Sequence, residues 1–404
     1  MMKQPIHYII ILWSIISGVL SACSTQEDFL GNDQPESQQI HIAYRVMDNE
    51  IQTRADIEDG EPSLNENKIT RLDLFISGNS LLHFYSTKPV DDDATSEQTF
   101  TPDKGTLPTT VTAGTTFYLV ANCPDVANIS TLEDLKAHPI SFDEEYPFNA
   151  KQETFVMDGL YTVTDADVVT EDITITIDLS RALAKIRFTF EGEITPTSYQ
   201  FFNYATTTHV LTEAETYKNE LESMDNFATV TDAPPLTSED KNNVNEYIFY
   251  SYPNDWYNDQ LKVILVDDDD DNLRRDSEGR VIDEEGNLLY EYDAEGLHNN
   301  EPIIPDKQTY LMVRATYDNV EGYYKIPVNA RLPQNSDQPY FTEQELDDIH
   351  HYYYRLNRNH LYDITVTIDG PGGPITDPVT PKYSIKINDW IHGNDYILDP
   401  DAFQ

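Results

Sequence analysis

A period of two constrains this chain more than anything else in it. Ile40, Ile42, Tyr44 and Val46 are apolar, and His41, Ala43 and Arg45 fall between them. Successive side chains of a strand point to opposite faces, so the alternation predicts a half-buried strand. Further strand candidates follow at Ile69–Ile76, Leu81–Ser86, Thr115–Ala121, Ile173–Leu179 and Lys185–Phe190. Beyond Pro196 come Tyr199–Tyr204, Asn245–Tyr252, Leu261–Val266, Gln308–Tyr317, Tyr323–Val328, Leu361–Ile368 and Tyr383–Trp390. Pro234-Pro235 and Gly370-Pro371-Gly372-Gly373-Pro374 punctuate this second half. Two short helices are expected, Thr131–Ala137 and Thr342–Tyr354, the latter opened by Thr342 with Glu345 as a capping box. No strand–helix alternation of the doubly wound kind appears. The pattern is all-β with minor helices, arranged as two antiparallel β-sandwich domains with a seam at Pro196. A length of 404 residues agrees with two domains.

Only two cysteines occur, Cys23 and Cys123, so the fold rests on packing and hydrogen bonds, not on disulfides. Cys123 ends the apolar run from Phe117 and is read as a small buried thiol, not a nucleophile. Cys23 closes a different pattern. Lys3 precedes an apolar run from Tyr8 to Leu20, and Leu20-Ser21-Ala22 leads into the cysteine. A basic start, a short apolar stretch and small residues describe an export signal. The cysteine after them looks like a bacterial lipobox, in which the Cys23 thiol is acylated and becomes the new N-terminus. An ordinary signal peptide and an N-terminal membrane helix are the alternatives. The apolar run falls short of the ~20 residues that a spanning helix needs. Residues 24–39 are polar and acidic and suit a flexible tether. Within them, Gln26-Glu27-Asp28 resembles the acidic signal that sends Bacteroidetes lipoproteins to the outer face of the outer membrane.

The formal charge is −46, from 72 acidic and 26 basic residues. That field repels phosphate backbones and excludes nucleic acid as a partner. The acidic residues concentrate at 267–300, where Asp267–Asp271 leads into Asp276-Ser277-Glu278-Gly279, Asp283-Glu284-Glu285-Gly286 and Asp293-Ala294-Glu295-Gly296. Asp and Gly at these offsets are what hairpin turns require. Calcium held by the clustered carboxylates is the alternative, although the spacing is not that of an EF-hand loop. His350, His351 and His360 lack any zinc-site pattern, and no nucleophile elbow, P-loop or dinucleotide fingerprint is present. The sequence offers no active site, and no enzyme, metal or cofactor is expected beyond the lipid on Cys23. Arg54, flanked by Thr53 and Ala55 in a polar segment, is an accessible site for an arginine-specific protease, or simply a solvated arginine.

Several segments together resemble the Bacteroidales fimbrillin family, whose members build type V pili. They are the lipobox at Cys23, Thr53-Arg54-Ala55, Ile69–Ile76, Gly114–Asn122, Ser180–Ile186, Arg358–Val366 and the closing Tyr383–Trp390, in family order. The resemblance implies two transthyretin-like sandwiches and secretion as a lipoprotein precursor to the cell outer membrane. It further implies assembly with other fimbrial subunits by strand exchange once a protease removes the N-terminal strand. On this chain, 1–22 becomes the signal peptide and 23–54 the tether with its removable strand Ile40–Val46. The cut falls between Arg54 and Ala55. Residues 55–195 form the first sandwich, and 196–404 the second with the insertion at 267–300. A neighbour's segment within 382–399, carrying Tyr383, Ile385 and Ile387, would refill the groove. The implied role is a stalk or tip subunit that acts in adhesion. The alternative is a permanently lipid-anchored surface protein, either a fimbrial anchor or one that binds a glycan or host protein.

Overall fold

Alternation becomes pairing in the computed structural model. It describes residues 39–47, 65–88, 94, 96–141, 154–170, 172–191, 195–214, 221–229, 246–257, 263–266, 273–292, 305–329, 341–344, 346, 354–389 and 396–397. The fold is all-β. A seven-stranded sheet runs β3-β2-β5-β7-β8-β1-β4. Its members are β1 (Gln39–Val46), β2 (Leu72–Ile76), β3 (Leu82–Ser86), β4 (Gln98–Thr99), β5 (Thr116–Ala121), β7 (Met157–Thr162) and β8 (Asp172–Arg181). A five-stranded sheet runs β15-β9-β23-β24-β25. It comprises β9 (Ala184–Glu191), β15 (Glu246–Ser251), β23 (His360–Thr367), β24 (Lys382–Asp389) and β25 (Tyr396–Ile397). A four-stranded sheet, β14-β10-β19-β20, joins β10 (Thr195–Phe202), β14 (Ala228–Thr229), β19 (Tyr310–Tyr317) and β20 (Val320–Pro327). Short ribbons pair β6 (Pro139–Ser141) with β12 (Thr207–His209), β11 (Tyr204–Ala205) with β13 (Leu221–Glu222), and β16 (Asn254–Asp255) with β22 (Arg355–Leu356). β18 (Leu289–Tyr292), within the acidic insertion, pairs with β17 (Val263–Leu265) before it and β21 (Phe341–Thr342) after it in a three-stranded sheet.

Two hydrophobic cores result. The first gathers Ile42, Leu74, Leu119, Met157 and Ile177 from the seven-stranded sheet. The second packs Phe188, Phe249 and Ile364 of the five-stranded sheet against Phe201, Val313 and Ile326 of the four-stranded one. β15 serves both, because its pleat sends Tyr247 and Phe249 to the second core and Ile248 and Tyr250 to the first. Membership changes between Leu183 and Ala184. Pro196, the seam marker in sequence, lies inside β10 at an irregularity in its pairing with β19. A proline has no N–H for the ladder, which accounts for the break.

The first of the expected helices is present as α1 (Leu132–Lys136), where the Thr131 hydroxyl accepts from the Asp134 N–H at 3.1 Å. Most of the second, 342–354, lies outside the described residues, as do Cys23, Arg54, Ala55, 267–272 and 293–300.

Candidate strand-exchange groove

The seven-stranded sheet is not continuous along its length. β7 pairs with β8 only at Asp158↔Ser180 and Met157↔Arg181. Before that point β8 takes β1 as its neighbour, in parallel, from Gln39↔Asp172 to Val46↔Leu179. The strands diverge where a Cβ on Gly159 would lie 2.2 Å from the Asp178 carbonyl oxygen. Only glycine permits that approach. The far edge of β1 meets β4 at Ala43↔Thr99 and Tyr44↔Gln98. It is extended by the Phe100 N–H donating to the Ile42 carbonyl at 2.8 Å, and by the Val46 N–H donating to that of Ala94 at 2.8 Å. β1 is therefore the middle strand of a three-stranded layer made by β4, β1 and β8.

Ile40, Ile42, Tyr44 and Val46 all enter the first core. They lie opposite Ile173, Ile175, Ile177 and Leu179, which are also buried there. On the outer face, Arg45 Nε donates to Asp178 Oδ1 at 2.8 Å, with both side chains more than a third exposed. Without β1, the eight residues of β8 that pair with it would show unpaired backbone groups and a row of apolar side chains. Such an edge recruits another strand.

The chain beyond the 48–64 segment is held differently. Asn65 adopts a left-handed conformation (φ 62°), and Glu66 and Asn67 are fully buried. Lys185 Nζ lies 3.0 Å from Glu66 Oε1, which also accepts from the Tyr250 hydroxyl. Arg181 donates through Nε to the Glu66 carbonyl at 2.9 Å and through Nη2 to the Asn67 side chain. The Arg181 N–H donates to Asn359 Oδ1 at 3.0 Å. This buried polar network ties Glu66 and Asn67 to strands of both sheets. A cut within 48–64 would separate β1 from that anchor.

The donor-strand candidates occupy a seat of their own. β24 pairs with β23 along its whole length, from His360↔Asp389 to Thr367↔Lys382, and Tyr383 and Ile385 are buried in the second core. Ile387 stands opposite Tyr362 in the ladder. β25 covers the outer edge of β24 at Lys386↔Ile397 and Ile387↔Tyr396.

Other polar groups serve the fold. Burial alone would raise the Asp73 carboxyl, but hydrogen bonds from His83 and Arg71 outweigh it and hold the group below its usual range. The His83 ring stacks on Phe75 at 4.5 Å. Burial pushes the Cys123 thiol up to about 12, as befits an inert side chain. His360 Nδ1 donates to the Arg358 carbonyl at 2.8 Å. In the insertion, Asp276 Oδ1 accepts from the N–H groups of Glu278 and Arg280, each at 2.9 Å. Asp283 Oδ1 accepts from those of Gly286 and Asn287 at 2.7 and 2.8 Å. Gly279 and Gly286 have φ of 85° and 96°, so both carboxylates cap turns.

No family model matches the sequence, and no curated protein matches it. Solved structures similar to it include Bacteroidales putative cell adhesion proteins and fimbrilins. A putative cell adhesion protein from Parabacteroides distasonis is 12% identical, with 87% of this chain and 96% of that chain covered at a TM-score of 0.49. The tip fimbrial protein Mfa3 from Porphyromonas gingivalis, with a C-terminal truncation, is 13% identical over 86% and 98%, at 0.46. A fimbrilin from Porphyromonas gingivalis is 13% identical over 87% and 96%, at 0.40.

Proposed function

We propose that this chain is a structural subunit of a cell-surface fimbrium, polymerised by exchange of the β1 strand for one from a neighbouring copy. The observation that carries the reading is the place of β1. It is the centre of a layer and fills the first core with four side chains, yet it is joined to the next described element only through 48–64. Burying an apolar side chain of this size contributes about 1.5–3 kcal/mol. An emptied groove therefore has a strong reason to take in another strand. In this reading the precursor is exported as a lipoprotein acylated at Cys23 and held on the outer membrane. Cleavage after Arg54 discards lipid and strand together, leaving Ala55 as the first residue. The matured subunit then acts in adhesion as part of a stalk or tip.

The test is the N-terminal residue of the protein recovered from the cell surface, together with an Arg54→Ala variant. Ala55 at the terminus, with detergent-resistant ladders that vanish in the variant, is expected. Cys23 at the terminus, or undiminished ladders from Arg54→Ala, would instead indicate a permanently anchored lipoprotein.

A further inference from the structure

One connection in the second half of the chain is far longer than its ends require. β23 and β24 are antiparallel neighbours, paired as far as Thr367↔Lys382, and two residues can join such a pair. Residues 368–381 join them instead. The detour leaves the five-stranded sheet and reaches the outer edge of β20 in the four-stranded one. There the Tyr323 N–H donates to the Gly373 carbonyl at 2.9 Å. The Tyr323 carbonyl accepts from the N–H groups of Gly373 and Val379, each at 3.2 Å. The Lys325 N–H donates to the Val379 carbonyl at 2.9 Å. Where the detour begins, the hydroxyl of the buried Tyr324 donates to the Gly370 carbonyl at 2.8 Å.

This strap offers β20 main chain and little else. No residue of 369–382 belongs to the second core, and Ile375 and Val379 are 51% and 42% exposed. Its backbone crosses that of β20 at a pair of glycines. A Cβ on Gly322 would lie 2.5 Å from the Gly372 Cα, and one on Gly372 would lie 2.7 Å from the Gly322 carbonyl carbon. Glycine at both positions permits that approach. The other edge of β20 is taken by β19 along its whole length. Beyond Lys325, the next position whose N–H would face outward is Pro327, which has none to offer.

We propose that residues 370–379 are an edge guard, which keeps β20 from pairing with β20 of a second copy of this chain. A strand edge with free N–H and C=O groups recruits another strand, and this edge is complementary to itself. Set antiparallel about a twofold axis, Tyr323 of one copy stands opposite Lys325 of the other. The outward N–H groups of both residues then find carbonyls, and no like charges face each other. The guard is in place in the uncut chain, so the inference does not depend on strand exchange. In the fimbrium proposed above, it would confine assembly to the β1 seat.

The test uses the uncut, full-length chain with 368–381 replaced by Asn-Gly, a dipeptide that closes a tight hairpin. The shortened chain is expected to sediment at twice the mass of the wild-type monomer. Adding Lys325→Pro removes an outward N–H and should return it to a monomer. A shortened chain that keeps its circular dichroism and stays monomeric overturns the proposal, as does a dimer that survives Lys325→Pro. Gly372→Val supplies a second measurement, because it preserves the chain length and lifts the strap through its Cβ. The Tyr323 and Lys325 amides of that variant should exchange with deuterium on the order of tenfold faster than in wild type. Unchanged protection at both would show that the strap does not hold the edge, and would equally overturn the proposal.

Discussion

Replacing Ile42 by alanine tests whether β1 is packed as a core strand of the precursor. Ile42 is 1% exposed and faces Ile175, which is fully buried. Truncating such a side chain removes its transfer free energy and leaves a cavity, about 2–5 kcal/mol. A domain is stable by only about 5–15 kcal/mol, so the loss is a large fraction. For a unit of about 150–250 residues, each kcal/mol lowers the melting temperature by about 2–4 °C. The expected fall is therefore on the order of 4–20 °C, read by circular dichroism on the uncut chain. His41 is the internal control, because it is next in sequence and points to solvent. His41→Ala should change stability by no more than about 0.5 kcal/mol. Equal effects from the two substitutions would refute the pleat assignment, and with it the claim that β1 fills the first core. The same loosening should speed maturation, so trimmed Ile42→Ala chains are expected to form ladders sooner than wild type.

Glu66→Ala leaves the Lys185 ammonium buried without its carboxylate, and a loss of about 3–5 kcal/mol is expected in a denaturant titration. A loss below 1 kcal/mol would mean the pair is solvated. Gly159→Ala forces a Cβ against the Asp178 carbonyl and should destabilise by about 1–3 kcal/mol through overpacking where β7 leaves β8. Wild-type stability from that variant would place the two strands farther apart. For Asp73, whose carboxyl is held below its ordinary 3.8, the sign follows from linkage. Its contribution is present above about pH 4 and fades as pH falls through the lowered native value. Asp73→Asn should thus cost about 1.5–3 kcal/mol at pH 7 and progressively less below pH 4, while a pH-independent cost would contradict the hydrogen bonds from Arg71 and His83. Cys123 should resist alkylation at pH 8 until the chain unfolds, and rapid labelling of native protein would show that the thiol is exposed.

What was legible in the sequence depended on whether one face of a strand was dry and the other wet. β8 alternates without a break and β1 does so except at the buried Ala43, and the sequence pattern gives both within a residue or two. β7 was missed. Its Met157-Asp158-Gly159-Leu160 carries a buried carboxylate and a glycine where alternation would want side chains of one kind. Asp158 is there to receive Arg358 at 3.0 Å and Thr212 at 2.7 Å, contacts from distant parts of the chain that no local pattern reveals. Glu66 and Asn67 escaped for the same reason, since a Glu-Asn pair in a polar stretch reads as loop until Lys185, Arg181 and Tyr250 converge on it. β1 itself is legible in the sequence as a strand. The walls around it are not, because β8 and β4 reach β1 from far along the chain.

Under the proposed strand exchange, topology favours β1 over its counterpart as the strand to give up. β8 and β9 follow one another, and each takes a parallel neighbour from a distant part of the chain: β1 for the first, β23 for the second. Each pair carries an ion pair of reversed polarity, exposed in the first and largely buried in the second. Arg45 of β1 meets Asp178 of β8, and Asp363 of β23 meets Arg187 of β9. As ladders they are nearly equivalent, so pairing alone cannot make one removable. Connection does. β23 is followed by β24, which folds back onto it in full antiparallel register, and is preceded by β22, which is paired with β16. Removing β23 would dismantle both. β1 leads to described structure at one end only, and the first residues there, Glu66 and Asn67, are fastened to Arg181 of β8. A single cut in 48–64 should therefore release β1 and leave the second core intact. Hydrogen exchange on the trimmed chain should show β8 losing protection while β9 and β23 keep theirs. Loss of protection in all three would mean that the two cores unfold as one unit, and that strand exchange could not proceed from a folded subunit.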